Sequence, residues 1–292
     1  MSDVTPPIQR ASAAHCALCN TPLAGRYCHA CGQKRIEPGD RSLRALLGTF
    51  WHELTSLDGR ALASFRDLLL RPGQVSAAWI AGRQQRYLMP LTLFLLVNLV
   101  YFLRAPMTDF NLSLADQACL QPWAASATAW VDARIAPEAM DCTEDPRPGS
   151  RLAELSTRYT ELSGDVSQSF VIAHVPVLAL FLAALAGRRG YFADHIVVGL
   201  HLMAYLMLLA VLAVPVAWLL VYAVGRTDAI AIGVRIGLAI LLLGHWTLAV
   251  RRAYGLGVLR TLVAPLLLLV GLGISHFVYR WAQFWIVAWQ LG

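Results

Sequence analysis

Long uninterrupted apolar runs constrain this sequence more than any other feature. The 292-residue chain is 57% hydrophobic and only 14% charged, and five of its apolar runs contain no Asp or Glu. Each run is close to the length of about 20 residues that an α-helix needs to cross a bilayer. The third run contains Pro215 but no polar turn, which predicts one kinked helix rather than two spans. The sequence therefore predicts an all-α integral membrane protein with five transmembrane helices, at 88–103, 170–186, 196–224, 232–250 and 262–278.

Arginines between the apolar runs predict how the chain crosses the membrane. The connections 187–195 and 251–260 carry two and three arginines, whereas residues 105–168 hold four arginines against ten acids. Short arginine-rich loops stay on the cytoplasmic side. We therefore expect a cytoplasmic N-terminus, an extracytoplasmic loop at 105–168 and an extracytoplasmic C-terminus. The chain starts with polar residues and no apolar signal sequence, so the first run is expected to direct membrane insertion.

Two Cys-x-x-Cys pairs lie at the start of the chain, at Cys16 and Cys19 and at Cys28 and Cys31. Such pairs place four thiolates around one structural zinc ion in a closed tetrahedral site. A redox-active dithiol pair is the alternative. The pairs are closer together than in nucleic-acid-binding ribbons, and no basic surface with aromatic residues accompanies them, so no nucleic acid is expected as a partner. Residues 1–36 are predicted to form a zinc ribbon in the cytoplasm, where a reducing environment keeps the thiols free.

Residues 37–87 are predicted to form helices that lie on the membrane surface. Apolar residues between Leu43 and Leu54 recur at helical spacing opposite charged residues, as in an interfacial amphipathic helix. A second run, from Leu62 to Leu69, ends at Pro72-Gly73 and is followed by a short helix at 75–80. A small soluble helical domain that rests on the membrane is the alternative.

The extracytoplasmic loop holds the two remaining cysteines, Cys119 and Cys142. An isolated pair in an oxidising compartment commonly forms a disulfide, which we predict here. Apolar residues at helical spacing across 150–163 predict an amphipathic helix that leads toward the second transmembrane run.

Histidines inside the apolar runs are candidates for function, because ionisable side chains are costly within a bilayer. His195 and His201 lie near the cytoplasmic end of the third run, and His245 lies near that of the fourth. If these helices meet, the three histidines and Asp194 surround one cavity that opens to the cytoplasm. The competing interpretation is that each neutral histidine bonds a carbonyl of a neighbouring helix.

Arginines and a tyrosine at the mouth of the first run are further candidates. Arg83, Arg86 and Tyr87 occur in a compact Gly-Arg-x-x-Arg-Tyr sequence, and Arg251 and Arg252 follow the fourth run. On the inner surface, such cations attract anionic lipid head groups by about 1 kcal/mol each. Membrane lipids, including anionic ones, are therefore expected partners, although the rule that orients the loops accounts for most of these charges.

Three stretches of the sequence carry recognisable motifs. The first contains the cysteine pairs and ends at Gly32-Gln33. The second is the Leu-Arg-Pro-Gly sequence at 70–73 together with residues 82–90. The third is 194–201 together with the Arg-Arg-x-Tyr-Gly sequence around Tyr254. These stretches resemble a family of bacterial membrane proteins catalogued as a domain of unknown function, number 3667 in that series. The resemblance implies a bacterial inner-membrane protein with a zinc ribbon, and it places Tyr254 in the candidate cluster. Similar proteins often have a further histidine where this chain has Met203, which weakens a metal site at His201.

Two functions fit these observations. The first is a membrane-anchored binding or regulatory protein whose zinc ribbon docks a protein partner in the cytoplasm. The alternative is a lipid or small-solute transporter, or a membrane enzyme, that uses the histidine and arginine cluster. The sequence has no HExxH, GxSxG or P-loop motif, which disfavours the enzyme classes that depend on them. Residues 88–292 form the predicted membrane domain, in which Gly233 and Gly237 can support homo-oligomers.

Overall fold

The computed structural model describes residues 15–35, 59–103, 112–143, 146–187, 189–224 and 228–292. Within these ranges the chain is helical and has no β-strand, only two isolated bridges near the cysteines. The helices are α1 (Gly59–Leu70), α2 (Gln74–Ile80), α3 (Pro90–Leu103), α4 (Leu114–Cys119), α5 (Ala124–Ile135), α6 (Arg151–Phe170), α7 (His174–Ala186), α8 (Phe192–Val224), α9 (Asp228–Tyr254) and α10 (Val258–Gln290). A 3-10 turn at Gln84–Arg86 lies before α3, and another at Val171–Ala173 joins α6 to α7. The amphipathic helix predicted within 43–54 lies outside the described residues.

Five helical segments are long and apolar enough to cross a membrane, as the apolar runs predicted. They are Gln84–Leu103, Arg151–Ala186, Phe192–Ala217, Asp228–Tyr254 and Val258–Gln290. Pro215 lies inside the continuous helix α8, as expected. Two segments are longer than the apolar runs themselves: the second begins at Arg151 and so includes the amphipathic helix predicted across 150–163, and the fifth continues beyond 278 to Gln290. Hydropathy misses these extensions because their buried positions include polar residues such as Ser163 and Gln283.

The chain forms two compact units, and the first comprises residues 1–104 and 175–272. In this unit α3 packs along α8, and α9 packs against both α8 and the short helix α2. Small residues allow membrane helices to approach closely. At Gly199 of α8, an added Cβ would lie 3.4 Å from a side-chain carbon of Val175 in α7. At Gly271 of α10, an added Cβ would lie 2.9 Å from the ring of Phe181, also in α7.

The second unit comprises residues 105–174 and 273–292, and its core combines α4, α5, α6 and the end of α10. Fully buried side chains come from all four helices: Leu114, Val131, Tyr159 and Phe284. A disulfide joins Cys119 to Cys142, whose Cα atoms are 5.7 Å apart. The side-chain amide of Gln283 donates to the carbonyl and hydroxyl oxygens of Ser163, at 3.2 Å and 3.0 Å. These bonds satisfy the amide nitrogen of Gln283 inside this unit, while its Oε1 is buried without a partner among the described residues.

Two histidines of the second unit contact each other. Nδ1 of His174 donates to the carbonyl of Val171 at 2.9 Å, because a carbonyl can only accept. In the neutral ring, Nε2 of His174 therefore accepts from Nδ1 of His276, at 3.4 Å. Tyr279 stacks on His276 with the ring centroids 5.8 Å apart. Helical neighbours within the unit thus hold both rings in place.

Helix α1 buries only part of its apolar run, together with two polar residues. Ser64 and Asp67 are fully buried, whereas Leu62 and Leu70 are 76% and 73% exposed. The hydroxyl of Ser64 accepts a hydrogen bond from the backbone N–H of Leu88 at 2.8 Å. The inward face of α1 therefore combines the apolar Leu68 with two polar residues, one of which bonds the chain just before α3, while Leu62 and Leu70 are exposed.

Candidate functional site

The four cysteines near the N-terminus lie together, with their sulfur atoms within 4.8 Å of one another. The sulfur of Cys19 is 3.5 Å from that of Cys28 and 3.4 Å from that of Cys31, and Cys16 is 3.5 Å from Cys31. Cys16 and Cys28 are buried, whereas Cys19 is exposed. The four side chains are close enough to hold one metal ion between them.

Each cysteine pair closes a tight loop of the same form. In both loops the N–H of the first cysteine donates to the carbonyl five residues later, at 2.8 Å and 2.9 Å. The N–H four residues after the first cysteine donates back to its carbonyl, at 2.9 Å and 2.8 Å. The donors of these return bonds, Asn20 and Gly32, have φ values of 60° and 72°. Asn and Gly are the residues that adopt this left-handed conformation most readily, which explains their place after each pair.

Thr21 favours the charged form of Cys19. Its hydroxyl lies 3.2 Å from the sulfur. Hydrogen bonds from the hydroxyl and the backbone N–H of Thr21 lower the pKa of the Cys19 thiol to about 6. Because the thiolate is the form that binds metal, this neighbour prepares Cys19 to act as a ligand.

The cysteine segment contacts the turn that precedes α3. The backbone N–H of Gln85 donates to Oε1 of Gln33 at 3.2 Å. A Cβ added at Gly32 would lie 3.4 Å from the side-chain nitrogen of Gln85. The loop that carries Cys28 and Cys31 therefore rests on the Gln84–Arg86 turn.

Asp67 is a fully buried carboxylate with cations around it. Nε of Arg66 donates to its Oδ1 at 3.0 Å, and the hydroxyl of Tyr87 donates to its Oδ2 at 2.8 Å. Arg71 and Arg86 form longer ion pairs with the same carboxylate, each at 3.8 Å. Asp67 thereby connects α1 to the residues that lead into α3.

These partners keep Asp67 ionised. Burial by itself would raise the pKa of the carboxyl group. Hydrogen bonds from Arg66 and Tyr87, together with the charges of Arg66 and Arg71, outweigh burial and hold the pKa of Asp67 below its usual range. The network therefore stabilises the fold above the pKa of the unfolded chain, and this contribution disappears as the pH falls through the lower folded value.

The turn after α1 lies directly against helix α9. Nε2 of His245 donates to the carbonyl of Leu68 at 2.8 Å, and Nη1 of Arg252 donates to the carbonyl before Gly73 at 2.9 Å. Gly73 has a φ of 72°, and a Cβ at this position would lie 2.5 Å from the carbonyl oxygen of Ala249. His245, Ala249 and Arg252 are four and three residues apart, so they share one face of α9. The turn after α1 packs against that face of α9.

His201 and His245 line one small cavity. Nδ1 of His201 lies 2.9 Å from the hydroxyl of Ser76 in α2, and the ring of His245 stacks on Tyr205 with centroids 3.4 Å apart. The cavity is lined by Asp67, Leu68, Gly73, Val75, Ser76, His201, Leu202, His245 and Ala249. It has room for about one water molecule. Nε2 of His201 and Nδ1 of His245 have no partner among the described residues, so a water is the ligand that this space can accommodate.

His195 belongs to another set of contacts. Its Nδ1 lies 2.8 Å from the hydroxyl of Tyr254. Arg189 donates to the carbonyls of Tyr254 and of the next residue, at 3.2 Å and 2.7 Å. Asp194 accepts a bond from the N–H of Tyr191 at 2.8 Å. These contacts tie the connection before α8 to the end of α9.

Residues 58–102 match a family of unknown function, DUF3667. The matched segment covers α1, α2, the turn at Gln84–Arg86 and nearly all of α3, so it includes Asp67 and Gly73. This finding confirms the resemblance for that segment. The cysteine pairs and the stretches around His201 and Tyr254 lie outside it. No curated protein and no solved structure matches the chain.

The structure places the predicted cluster residues in separate sets rather than around one cavity. Arg86 and Tyr87 bond Asp67, while His201 and His245 line the small cavity and His195 pairs with Tyr254 beside Asp194. Arg252 contacts the turn after α1, Arg251 is exposed at the end of α9, and the N–H of Arg83 donates to the carbonyl of Ala78. Sequence reasoning missed Asp67, Ser76 and Gly73. For Asp67 a signal existed, because it is the one acid in the arginine-rich stretch 59–86.

Proposed function

We propose that this protein is a membrane-anchored binding or regulatory protein whose N-terminal zinc ribbon is a cytoplasmic docking module. The observation that carries the proposal is the four-cysteine cluster. Tetrahedral zinc with Zn–S bonds of about 2.3 Å has sulfur atoms about 3.8 Å apart. Three of the sulfur separations here are 3.4 Å or 3.5 Å, and all lie within 4.8 Å. When four thiolates fill the shell, no position remains for a substrate, so the ion supports structure rather than catalysis.

The surface of the ribbon supports a docking role. Tyr27 is 60% exposed and Leu18 is 37% exposed. The segment is short and has few apolar side chains, yet these two are not used to form a core. Tyrosine is enriched at protein interfaces because it offers a large rigid contact area and a hydroxyl group. The contact between Gln33 and Gln85 holds this surface against the mouth of the first membrane helix. We infer that a protein partner binds there, on the cytoplasmic face of a bacterial inner membrane.

The transporter or enzyme alternative receives less support from the geometry. A cytoplasm-facing cavity formed by His195, His201 and His245 would have to admit a substrate. The space beside His201 and His245 has room for about one water molecule. Both histidines also bond neighbouring helices, which favours a structural role for them. Gly233 and Gly237 suggested a homo-oligomer, and neither glycine has an atom of the described chain within 4 Å of a Cβ position, so a second copy can approach α9 there.

Metal content tests the ribbon. Full-length protein purified in detergent is expected to contain one zinc ion per chain, measured by elemental mass spectrometry. Cys28→Ser removes a buried ligand and should lower the zinc content to background. The matched control is His29→Ala, which changes an exposed neighbour and should leave the zinc in place. Background zinc in the unaltered protein, or full zinc in Cys28→Ser, would contradict the proposal.

Partner binding tests the docking role. After crosslinking in cells, a cytoplasmic protein that co-purifies with the full-length chain is expected to be lost from both Tyr27→Ala and Cys28→Ser. His29→Ala should retain it. Equal recovery with Tyr27→Ala and the unaltered chain would count against docking on this surface, even if zinc is present.

A further inference from the structure

We propose that Arg66, Arg71 and Arg86 form a binding site for a phosphate-class oxyanion, and that Asp67 is the residue that positions them. The site lies where α1 meets the residues that lead into α3. It goes beyond the proposed docking function and does not depend on it, because no residue of the ribbon contributes to it.

The first argument is the way in which the arginines use their nitrogens. Arg66 donates its Nε to Asp67 at 3.0 Å, and the ion pair of Arg71 also runs through Nε, at 3.8 Å. Both residues therefore keep their two Nη groups, and the described residues offer these groups no acceptor. Arg86 approaches Asp67 with one Nη group at 3.8 Å and keeps the other. A guanidinium fork is the geometry that binds phosphate oxygens in pairs.

The second argument is charge and burial. Asp67 is completely buried, whereas the side chains of Arg66, Arg71 and Arg86 are 50%, 56% and 52% exposed. Three cations around one carboxylate leave an excess of two positive charges at an accessible surface. Tyr87 donates its hydroxyl to the same carboxylate and so helps to fix its orientation.

The third argument is the surroundings on α1. Leu62, Arg66 and Leu70 are spaced four residues apart, so they lie along one face of the helix. Leu62 and Leu70 are 76% and 73% exposed. Exposed leucines on either side of an arginine are typical of a helix at a membrane interface, where the cation is level with lipid phosphates. A phosphate borne by a lipid head group and a free phosphate would use the same nitrogens.

Ligand titration of the full-length protein in a non-ionic detergent tests the site. The probes are short-chain phosphatidic acid, inorganic phosphate and, as a zwitterionic reference, short-chain phosphatidylcholine. We expect saturable binding of phosphatidic acid that weakens about tenfold in Arg66→Gln and in Arg71→Gln, the loss typical of one charge-assisted hydrogen bond. The matched control is Arg260→Gln, which removes a cation outside the cluster and should not change the dissociation constant. Binding of phosphate alone with the same variant pattern would identify a soluble ligand instead of a lipid.

Asp67→Asn separates a built site from general electrostatics. This change adds one positive charge to the cluster, so attraction by net charge alone would tighten anion binding. If Asp67 positions the arginines, the same change weakens binding, and Asp67→Glu restores part of the affinity. The melting temperature without ligand is measured in parallel to detect a loss of folding. If Asp67→Asn does not fold, the affinities of Arg66→Gln and Arg71→Gln for phosphatidic acid test the site instead. The proposal is overturned if these two variants bind phosphatidic acid as tightly as Arg260→Gln does.

Discussion

Gly73 is the residue at which the connection between α1 and α2 touches the backbone of α9. Its φ of 72° is strained for any residue with a Cβ, and that Cβ would lie 2.5 Å from the carbonyl oxygen of Ala249. We expect Gly73→Ala to destabilise the protein by about 2–4 kcal/mol, from backbone strain and steric overlap together. Thermal unfolding of the purified protein in detergent measures the change.

Gly244→Ala is the control for this substitution. Gly244 lies in α9, and no atom of the described residues lies within 4 Å of its Cβ position, so an added methyl group contacts none of them. It should leave the melting temperature the same or slightly higher, because alanine favours a helix. If Gly73→Ala and Gly244→Ala melt at the same temperature, the close approach at Gly73 is not a constraint on the fold.

At the scale of elements, the end of α1 is capped by side chains of α9. The last carbonyls of a helix have no partner within it. His245 supplies a donor to the carbonyl of Leu68, and Arg252 supplies one to the carbonyl of Pro72. We expect His245→Leu to leave a buried carbonyl unpaired, at a cost of about 1–3 kcal/mol, and to loosen the C-terminal end of α1.

Hydrogen exchange measured by mass spectrometry checks this prediction on peptides that cover 59–80. His245→Leu should speed exchange there, whereas His245→Gln, which keeps a donor, should have a smaller effect. Leu248→Ala alters an exposed residue one turn away and should leave exchange unchanged. Unaltered exchange in His245→Leu would show that α1 does not depend on this cap.

At the scale of the whole molecule, the two groups of cysteines test the proposed orientation. Cys119 and Cys142 are disulfide-bonded, and the four N-terminal cysteines are free. In spheroplasts, a membrane-impermeant reductant followed by an impermeant maleimide is expected to label Cys119 and Cys142, because the 105–168 loop is placed outside. The N-terminal cysteines should react only after permeabilisation and chelation of metal. Labelling of the N-terminal group in intact spheroplasts would reverse the topology.

Some features of the fold and of the candidate site could be predicted from the sequence, and others could not. The cysteine spacing at 16–31 was sufficient to predict a four-sulfur cluster, since ligand spacing within a short segment is local information. A helical run from Leu62 to Leu69 was predicted where the structure has α1, but the burial of Ser64 and Asp67 was not, because a pattern that considers only polarity assigns polar residues to the surface. His201 and His245 were named as candidates for one cavity if their helices meet, but their partners Ser76 and Leu68 could not be predicted, because they lie 125 and 177 residues away in the chain.

The sequence by itself determined that this is a chain of long apolar helices with a cysteine cluster at one end, because hydropathy and ligand spacing act over short distances. Only the tertiary structure decided where the polar side chains inside these helices go. A buried carboxylate such as Asp67 requires partners, and those partners come from α1, the turn after it and the residues before α3. Each buried polar group needs a hydrogen-bond or ion-pair partner, and only the packed molecule decides which residue supplies it. His201 and His245 therefore bond neighbouring helices, and three arginines surround the carboxylate of Asp67.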